Sequence, residues 1–245
     1  MLLKKYLLIG LTCFSVAAAA DNIDYQVNDE TYEGFYVSPA DSAPLVLLIH
    51  DWDGLTDYEI KRAYMLAEEG YAVFAADLFG KGIRPTEDKD KKQHTGELYQ
   101  DRQKMRQLLK GALDKAAELG ANRQKVVIIG YCFGGAAVLE MARSGENLQG
   151  FVSFHGGLKT PQGQDYASTS AEILVLHGAA DKAISMQEFA QLSTELETYN
   201  VPNEMIAYGG AEHAFTVFGV DRYNAAADQK SWQRLLQFLE AKLPN

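Results

Sequence analysis

The segment that most constrains the fold runs from Val126 to Ala142, where a buried strand, a tight turn and an apolar helix follow one another. Cys132 stands at the turn, with Gly130 and Gly134 two residues to either side. A turn this sharp packs its main chain against both neighbouring segments, which leaves no room for side chains at the glycine positions. The pattern therefore predicts a cysteine held at the apex of a strand-to-helix turn.

Cys132 has two interpretations. The spacing Gly-x-Cys-x-Gly is that of the nucleophile elbow of α/β-hydrolases, with a thiol in place of the more common serine. The N-terminus of the helix that begins near Phe133 would favour a thiolate and any oxyanion beside it. The alternative is a structural cysteine buried in a tight turn, since free cysteines are mostly buried. The position of the turn between a buried strand and an apolar helix favours the nucleophile.

Residues 1–20 have the pattern of a secretory signal peptide. Lys4 and Lys5 precede an apolar run, and the alanines at 17–20 offer a cleavage site that would make Asp21 the mature N-terminus. Two alternatives are an uncleaved anchor, for which the apolar run is short, and a lipoprotein signal at Cys13. The sequence thus predicts a periplasmic or secreted protein without a stable membrane anchor.

Charge and cysteine count limit the partners. The net charge is −10, and removal of Lys4 and Lys5 with the leader would make it more negative, so a nucleic acid is not expected as a partner. The same cleavage would leave Cys132 as the sole cysteine. A lone thiol in an oxidising compartment is easier to explain by chemistry than by packing. No feature suggests an obligate oligomer, so a monomer is expected.

Apolar patterning predicts a single domain over residues 21–245, with a mostly parallel, doubly wound sheet and crossover helices. A hairpin of two edge strands, around Asn28 and Asp29, opens it. The predicted strands are Ile23–Val27, Thr31–Val37, Leu45–Ile49, Tyr71–Ala76, Val126–Ile129, Phe151–Phe154, Ile173–Leu176 and Glu204–Tyr208. The predicted helices cover Tyr58–Glu69, about Leu98–Leu119, Met186–Tyr199 and Ala225–Leu243.

The stretch from Gly80 to Gly96 breaks the alternation, because glycines and Pro85 introduce a charged run, Glu87–Lys92, with no apolar face. One interpretation is a solvated loop. The other is a lid, because loops that leave the carboxyl ends of strands line the crevice of an open α/β sheet.

A nucleophile needs a base and a group that orients the base. Asp181 follows the strand that ends near Leu176, and His213 lies in a glycine-rich turn after the last strand. The order cysteine, acid, histidine is the chain order of α/β-hydrolases. The oxyanion would take the amide of Phe133 and a second amide from the loop after Leu45–Ile49, for which Trp52 is the candidate.

The other histidines compete with His213. His155 and His177 sit at strand ends and are interpreted as wall residues, His50 could line the site, and His94 is expected to be solvated. A metal site built from His50, Asp51 and Asp53 is conceivable, although no two histidines show a ligand spacing such as His-x-x-x-His. No cofactor or metal is expected.

At this point the residues resemble the dienelactone hydrolase, or carboxymethylenebutenolidase, family, and the resemblance covers the whole mature chain. It rests on the segments Leu48-Ile-His-Asp-Trp-Asp-Gly-Leu, Gly70-Tyr-Ala-Val-Phe-Ala-Ala-Asp-Leu-Phe-Gly, Gly130-Tyr-Cys-Phe-Gly-Gly, Leu176-His-Gly-Ala-Ala-Asp and Glu212-His-Ala-Phe. The resemblance implies the α/β-hydrolase fold, a triad of Cys132, Asp181 and His213, and an oxyanion hole at Phe133 and Trp52.

The sequence departs from the family pattern at two positions. A family glutamate that takes the proton of the resting thiol corresponds to Asp51, which is one methylene shorter. The member that uses dienelactone has an arginine four residues after the histidine, where this chain has Val217. Arg84 is the basic residue that we name as its replacement in substrate binding.

The expected activity is hydrolysis of a small activated ester or lactone. Two alternatives stay open: a thioesterase or acyltransferase with the same triad, and a non-catalytic periplasmic binding protein that keeps the fold.

Overall fold

The computed structural model describes residues 19–244. The predicted signal peptide, residues 1–20, lies outside this range except for its last two residues. Residues 19–244 hold eight strands: β1 (Ala19–Val27), β2 (Glu30–Ser38), β3 (Pro44–Ile49), β4 (Ala72–Ala76), β5 (Asn122–Tyr131), β6 (Gly150–Phe154), β7 (Glu172–Gly178) and β8 (Asn203–Tyr208). Their six helices are α1 (Asp57–Glu68), α2 (Asp88–Gln100), α3 (Arg102–Glu118), α4 (Phe133–Arg143), α5 (Met186–Thr198) and α6 (Ala225–Lys242).

The strands form one sheet in the order β1-β2-β4-β3-β5-β6-β7-β8. The pairs β1–β2 and β2–β4 are antiparallel, and all the others are parallel. This confirms the mostly parallel, doubly wound sheet. Because β3, β5, β6 and β7 are parallel, their carboxyl ends lie at one edge of the sheet. The strand order changes direction at β3, which has β4 on one side and β5 on the other, and ligands bind beside such a switch point.

The strands in the centre of the sheet are almost entirely apolar because helices cover both faces, and Ser153 of β6 is the one polar residue in β3, β4 and β6. Every residue of β3, β4 and β6 is buried. One apolar cluster lies under α3 and α4, and the other lies under α1 and α6. Such strands read as continuous apolar runs in the sequence, which is why their positions could be predicted.

The first hairpin is confirmed with one correction. Asn28 and Asp29 have φ of 50° and 64°, a conformation that suits a tight two-residue hairpin turn. Only β1 is an edge strand, however, because β2 lies between β1 and β4. The extra pairing of Phe35–Val37 with Val73–Ala75 explains why β2 is more deeply buried than an edge strand.

The prediction for the segment after β4 was wrong in its second half. Residues 88–100 form helix α2 rather than a charged loop, and Leu98 belongs to α2, so α3 begins only at Arg102. Within α2 just Thr95 and Leu98 are buried. Two buried side chains one turn apart are too weak an apolar pattern to identify a helix from sequence. Asp88 and Asp90 in its first turn complement the helix dipole.

Within residues 19–244, no helix has both the length and the hydropathy needed to cross a membrane.

Candidate active site

Cys132 lies between β5 and α4, in the strained turn that the sequence predicted. Its φ of 51° and ψ of −111° are costly for a residue with a side chain. The two flanking glycines allow this turn. A Cβ on Gly130 would lie 2.3 Å from the carbonyl of Gly134, and a Cβ on Gly134 would lie 2.4 Å from the carbonyl oxygen of Ile49. Main chain therefore touches main chain on both sides of the cysteine.

The environment of Cys132 favours the neutral thiol. Burial raises the pKa of the thiol, and the nearby charge of Asp51 raises it further, while the N–H of Phe133 at the start of α4 acts in the opposite direction. Since the thiolate is the form that reacts with oxidants, a resting thiol is protected until its proton is taken.

His213 reaches Cys132 from the loop after β8. Its Nε2 is 3.1 Å from the sulfur of Cys132, and its Nδ1 is 2.8 Å from Oδ2 of Asp181. The ionised carboxylate can only accept, so Nδ1–H donates to Asp181 and Nε2 offers its lone pair to the thiol. The three side chains named from sequence thus form one continuous hydrogen-bonded line.

Asp181 is fixed by the loop after β7. Its Oδ1 accepts hydrogen bonds from the amides of Ala183 and Ile184 at 2.8 Å and 2.9 Å. Burial alone would raise the pKa of this carboxyl, but the hydrogen bonds from His213 and the two amides outweigh it and lower the pKa. Asp181 is therefore held as an ionised acceptor that orients the histidine ring.

A second buried chain of hydrogen bonds ties the cysteine turn to the histidine loop, and sequence reasoning missed it. The amide of Cys132 is shared between the carbonyl oxygen of Phe154 at 3.0 Å and Nδ1 of His155 at 3.2 Å, and Nε2 of His155 lies 2.8 Å from Oγ1 of Thr216. Oγ1 of Thr216 is in turn 2.7 Å from the hydroxyl of Tyr58. Burial lowers the pKa of His155 and so favours the neutral ring, and with Nδ1 as acceptor the proton of that ring lies on Nε2.

The far end of this chain is a buried ion pair. Arg62 donates to the hydroxyl of Tyr58 at 3.3 Å, to the carbonyl oxygen of Thr216 at 2.8 Å and to Oδ1 of Asp228 at 2.5 Å. Arg62 is 1% exposed. Arg62 of α1 therefore links Asp228 of α6 to Thr216 in the loop that carries His213.

The loop after β3 carries the other predicted residues. Asp51 is buried and accepts a hydrogen bond from the amide of Asp53 at 3.1 Å, and its own amide donates to Glu59 at 3.4 Å. Burial raises the pKa of Asp51 well above its usual value, and Asp53 and the charge of Glu59 add to the effect. Burial also raises the pKa of Glu59 to about 7. Asp51 therefore lies near Cys132 as a carboxyl that holds a proton readily.

Trp52 and Phe133, the two predicted oxyanion residues, lie in the loop after β3 and at the start of α4. Phe133 is buried and packs on the rings of His50, Phe79 and Tyr99. Trp52 is partly buried, and Lys91 of α2 lies 5.0 Å from its ring. Within residues 19–244 the amide of Trp52 has no protein acceptor, so it is free to donate to a ligand.

Arg84 is engaged by main-chain carbonyl oxygens and by carboxylates. Its guanidinium donates to the carbonyl oxygens of Leu55 and Ile83 and lies 3.6 Å from Asp77. These contacts favour a structural role, in which Arg84 holds the segment after β4 against the loop after β3, over the substrate-binding role that we named for it.

The remaining histidines have other partners. His50 uses both ring nitrogens, Nδ1 with the carbonyl oxygen of Asp51 and Nε2 with the amide of Leu78, which leaves no lone pair for a metal ion. No cluster of three or more metal-binding side chains occurs between residues 19 and 244. His177 is buried against Phe189, as a wall residue would be. His94, expected to be solvated, instead stacks on Phe79 at 5.3 Å.

Comparison with known proteins identifies the family of the chain. The sequence profile of the dienelactone hydrolase family matches residues 32–243. A protein of Escherichia coli strain K12 named "Putative carboxymethylenebutenolidase" is 27% identical over 208 residues, which are 80% of this chain and 76% of that protein.

Two solved structures are similar over nearly their whole length. The structure named m3DLH superposes with a TM-score of 0.87 at 28% identity and covers 93% of this chain and 99% of its own. A dienelactone hydrolase-like promiscuous phosphotriesterase from metagenomic libraries gives a TM-score of 0.85 at 29% identity, with 92% and 99% covered. The α/β-hydrolase fold is thereby confirmed, and the chain belongs to the dienelactone hydrolase family of hydrolases.

Proposed function

We propose that this hydrolase cleaves small activated esters or lactones with Cys132 as nucleophile, His213 as general base and Asp181 as the residue that orients it. One observation carries the proposal: the sulfur of Cys132 is 3.1 Å from Nε2 of His213, whose Nδ1 is 2.8 Å from Asp181. Nucleophile, base and orienting acid in hydrogen-bond contact are the requirements of covalent acyl transfer.

In the first half-reaction His213 Nε2 takes the thiol proton while the sulfur attacks the acyl carbon. The amides of Phe133 and Trp52 donate to the oxyanion of the tetrahedral intermediate. The bond between the acyl carbon and the leaving oxygen then breaks, and His213 gives its proton to that oxygen. The product is an alcohol or enol and a thioester on Cys132.

In the second half-reaction His213 removes a proton from water, which attacks the thioester carbonyl. The carbon–sulfur bond breaks, the sulfur takes back its proton through His213, and the carboxylic acid is released. Because thiolate is a better leaving group than a simple alkoxide or an amine, the first intermediate formed from a peptide or plain alkyl ester would collapse backwards. Activated esters, enol esters and lactones fit this site best.

Asp51 is proposed as an alternative first acceptor of the thiol proton, which must then pass to His213 before His213 can protonate the leaving oxygen. A buried carboxyl with a raised pKa can take the thiol proton at a lower cost than an exposed one. The test is the pH profile of Cys132 alkylation by iodoacetamide in the wild type and in Asp51→Asn. We expect the profile to shift, and an identical profile would remove Asp51 from the mechanism.

The test of the activity itself is turnover of an activated aryl ester by the wild type, Cys132→Ser and Cys132→Ala, beside alkylation of Cys132 by iodoacetamide. We expect alkylation and Cys132→Ala each to abolish turnover. Undiminished turnover in Cys132→Ala would contradict the proposal. Analysis of the products distinguishes hydrolysis from acyl transfer, because a thioesterase or acyltransferase with the same triad would act on thioesters or pass the acyl group to a nucleophile other than water.

We also propose export through the leader at residues 1–20, which makes the protein periplasmic or secreted. Cleavage before Asp21 would remove only the first two residues of β1 and their pairing with Val37 and Ser38. The raised pKa of Cys132 suits an oxidising compartment, since a neutral thiol is the less reactive form. N-terminal sequencing of the exported protein tests this, with Asp21 as the expected first residue.

A further inference from the structure

Helix α2 buries little of itself, yet one of its faces lies against the loop that carries Trp52. Four residues at helical spacing share this inner face: Lys91, His94, Thr95 and Leu98. Thr95 and Leu98 are buried, whereas Lys92, on the outer side, is exposed. The inner face of α2 therefore includes a lysine.

Lys91 is covered to an unusual extent for its residue type. Its side chain is 16% exposed, whereas lysine side chains mostly lie in solvent. Its Nζ lies 5.0 Å from the centre of the Trp52 ring and 3.9 Å from Oδ2 of Asp53. One ammonium group thus contacts two consecutive residues of the loop between β3 and α1.

This loop, residues 50–56, holds two aspartates and neither a lysine nor an arginine. Within residues 19–244, the contact of Asp53 with Lys91 is the one ion pair made by Asp51 or Asp53. A cation–π contact and a partly exposed ion pair are each weak. Because both are made by the same side chain, they hold the ring and the neighbouring carboxylate in one arrangement.

The position of Trp52 matters for the reaction, because its amide is one of the two proposed oxyanion donors. In the described part of the chain this amide has no protein acceptor, so no hydrogen bond of its own fixes its direction. The next amide, that of Asp53, donates to Asp51 at 3.1 Å. The direction of the Trp52 amide therefore depends on what holds the Trp52 ring and Asp53.

The other proposed donor, Phe133, does not need this support. Phe133 is 1% exposed and begins α4. Its ring packs on Tyr99 of α2 and on Phe79, in both cases with centroids 5.5 Å apart. Trp52 is only partly buried. Of the two donors, Trp52 is the one whose placement depends on a contact with a single charged side chain.

We propose that Lys91 is a positioning residue of the oxyanion hole, which holds Trp52 and Asp53 so that the Trp52 amide points at the oxyanion. As the bond between the sulfur of Cys132 and the acyl carbon forms, the carbonyl electron pair moves to the oxygen, and the Trp52 N–H donates to that oxygen. Lys91 acts through Trp52 and not on the substrate. This inference rests on the proposed function, because an oxyanion forms only when Cys132 attacks a carbonyl carbon.

Two reactions of the same thiol separate the oxyanion hole from the thiol itself. 4-Nitrophenyl acetate acylates Cys132 through an oxyanion, and kcat/KM for release of 4-nitrophenolate reports that step. Iodoacetamide alkylates Cys132 by displacement of iodide at a saturated carbon, without an oxyanion.

Lys91→Gln should affect the two reactions differently. Loss of a whole oxyanion donor costs about 10²–10³-fold in rate, so misplacement of one donor should lower kcat/KM about tenfold. The alkylation rate should change by no more than about twofold, because the charge of Asp53 that the substitution unmasks is partly exposed and screened.

Three further variants locate the effect. Lys91→Arg keeps the charge and the contact with the ring, so it should restore most of kcat/KM. In Trp52→Leu, which keeps the amide but removes the ring, Lys91→Gln should lower kcat/KM by a smaller factor than in the wild type. Lys92→Gln is the matched control, because it removes the same charge from an exposed position of the same helix. It should leave kcat/KM unchanged.

Failure of the positioning role and failure of the activity give different results. If Lys91→Gln leaves kcat/KM unchanged, or lowers kcat/KM and the alkylation rate by the same factor, the positioning role is overturned and the hydrolase proposal stands. An equal loss in Lys92→Gln, or an undiminished effect of Lys91→Gln in Trp52→Leu, also overturns it. If ester turnover does not depend on Cys132, the hydrolase proposal fails, and the role of Lys91 fails with it. A loss of kcat/KM confined to acylation and restored by Lys91→Arg supports the proposal.

Discussion

The cysteine turn and helix α2 lie side by side at the same edge of the sheet, yet different kinds of contact hold them. At the turn, main chain touches main chain, and a Cβ on Gly134 would lie 2.4 Å from the carbonyl oxygen of Ile49. In α2, a Cβ on Gly96 would meet no atom within 4 Å, and just Thr95 and Leu98 are buried. The difference shows that close main-chain contacts place the cysteine turn, while a few side chains hold α2.

The largest difference in stability between the two regions should come from replacing one glycine by alanine in each of them. Gly134→Ala forces the turn away from β3 and should destabilise the protein by about 3 kcal/mol or more, with loss of turnover. Gly96→Ala should instead stabilise α2 by about 0.5–1 kcal/mol, because alanine loses less backbone entropy in a helix. Thermal unfolding of the two variants measures both. Similar Tm values for the two would contradict the comparison.

The next effect concerns Glu59, whose carboxylate accepts from the amide and hydroxyl of Thr56 and caps α1 beneath the Trp52 loop. Burial raises the pKa of Glu59 to about 7 in the folded state. The folded state therefore binds this proton more tightly than the unfolded chain does. The stabilisation is complete below about pH 4.5 and is lost as the pH rises to about 7.

Glu59→Gln stays neutral at every pH and can still act in the cap. Relative to the wild type, its free energy of unfolding should rise between pH 5 and pH 8 by up to about 3 kcal/mol. Denaturant unfolding at both pH values measures the difference. A difference that does not depend on pH would show that Glu59 is ionised throughout.

A smaller effect should follow from cutting the chain that joins Cys132 to the histidine loop. Thr216→Val keeps the shape but leaves Nε2–H of His155 and the hydroxyl of Tyr58 without this partner, at a cost of about 1–2 kcal/mol. We expect kcat to fall about tenfold with KM little changed, and Cys132 alkylation to slow. Thr216→Ser, which keeps the hydroxyl, is the control. If Thr216→Val lowers Tm alone, the chain is structural and does not position the reacting groups.

The smallest effect belongs to α2. Lys91 lies 5.0 Å from the centre of the Trp52 ring and 3.9 Å from Asp53. Lys91→Gln removes both contacts and should change stability by no more than about 1 kcal/mol. Amide hydrogen exchange should quicken in α2 and remain unchanged in α4. Faster exchange in α4 as well would mean that α2 and the cysteine turn unfold as one cooperative unit.

The same difference explains what the sequence could predict. The strands before Cys132 and Asp181 hold continuous apolar runs, and His213 also follows a strand, so the meeting of the three residues at one edge could be predicted. Helix α2 could not, because just Thr95 and Leu98 are buried in it and only one of them is apolar. Arg62 contacts a residue 154 positions away, and Arg84 is held by carbonyl oxygens. Contacts between segments so distant in sequence leave no local pattern.

The central claim is that Cys132 becomes acylated during turnover and that His213 releases the acyl group. Intact-mass measurement of the wild type, acid-quenched during turnover of an activated ester, tests it most directly, because the quench stops deacylation before the thioester is lost. We predict a mass increase equal to one acyl group, located on Cys132 by peptide mapping and absent in Cys132→Ala. An active wild type that never carries the acyl group on Cys132, beside an equally active Cys132→Ala, would contradict the account.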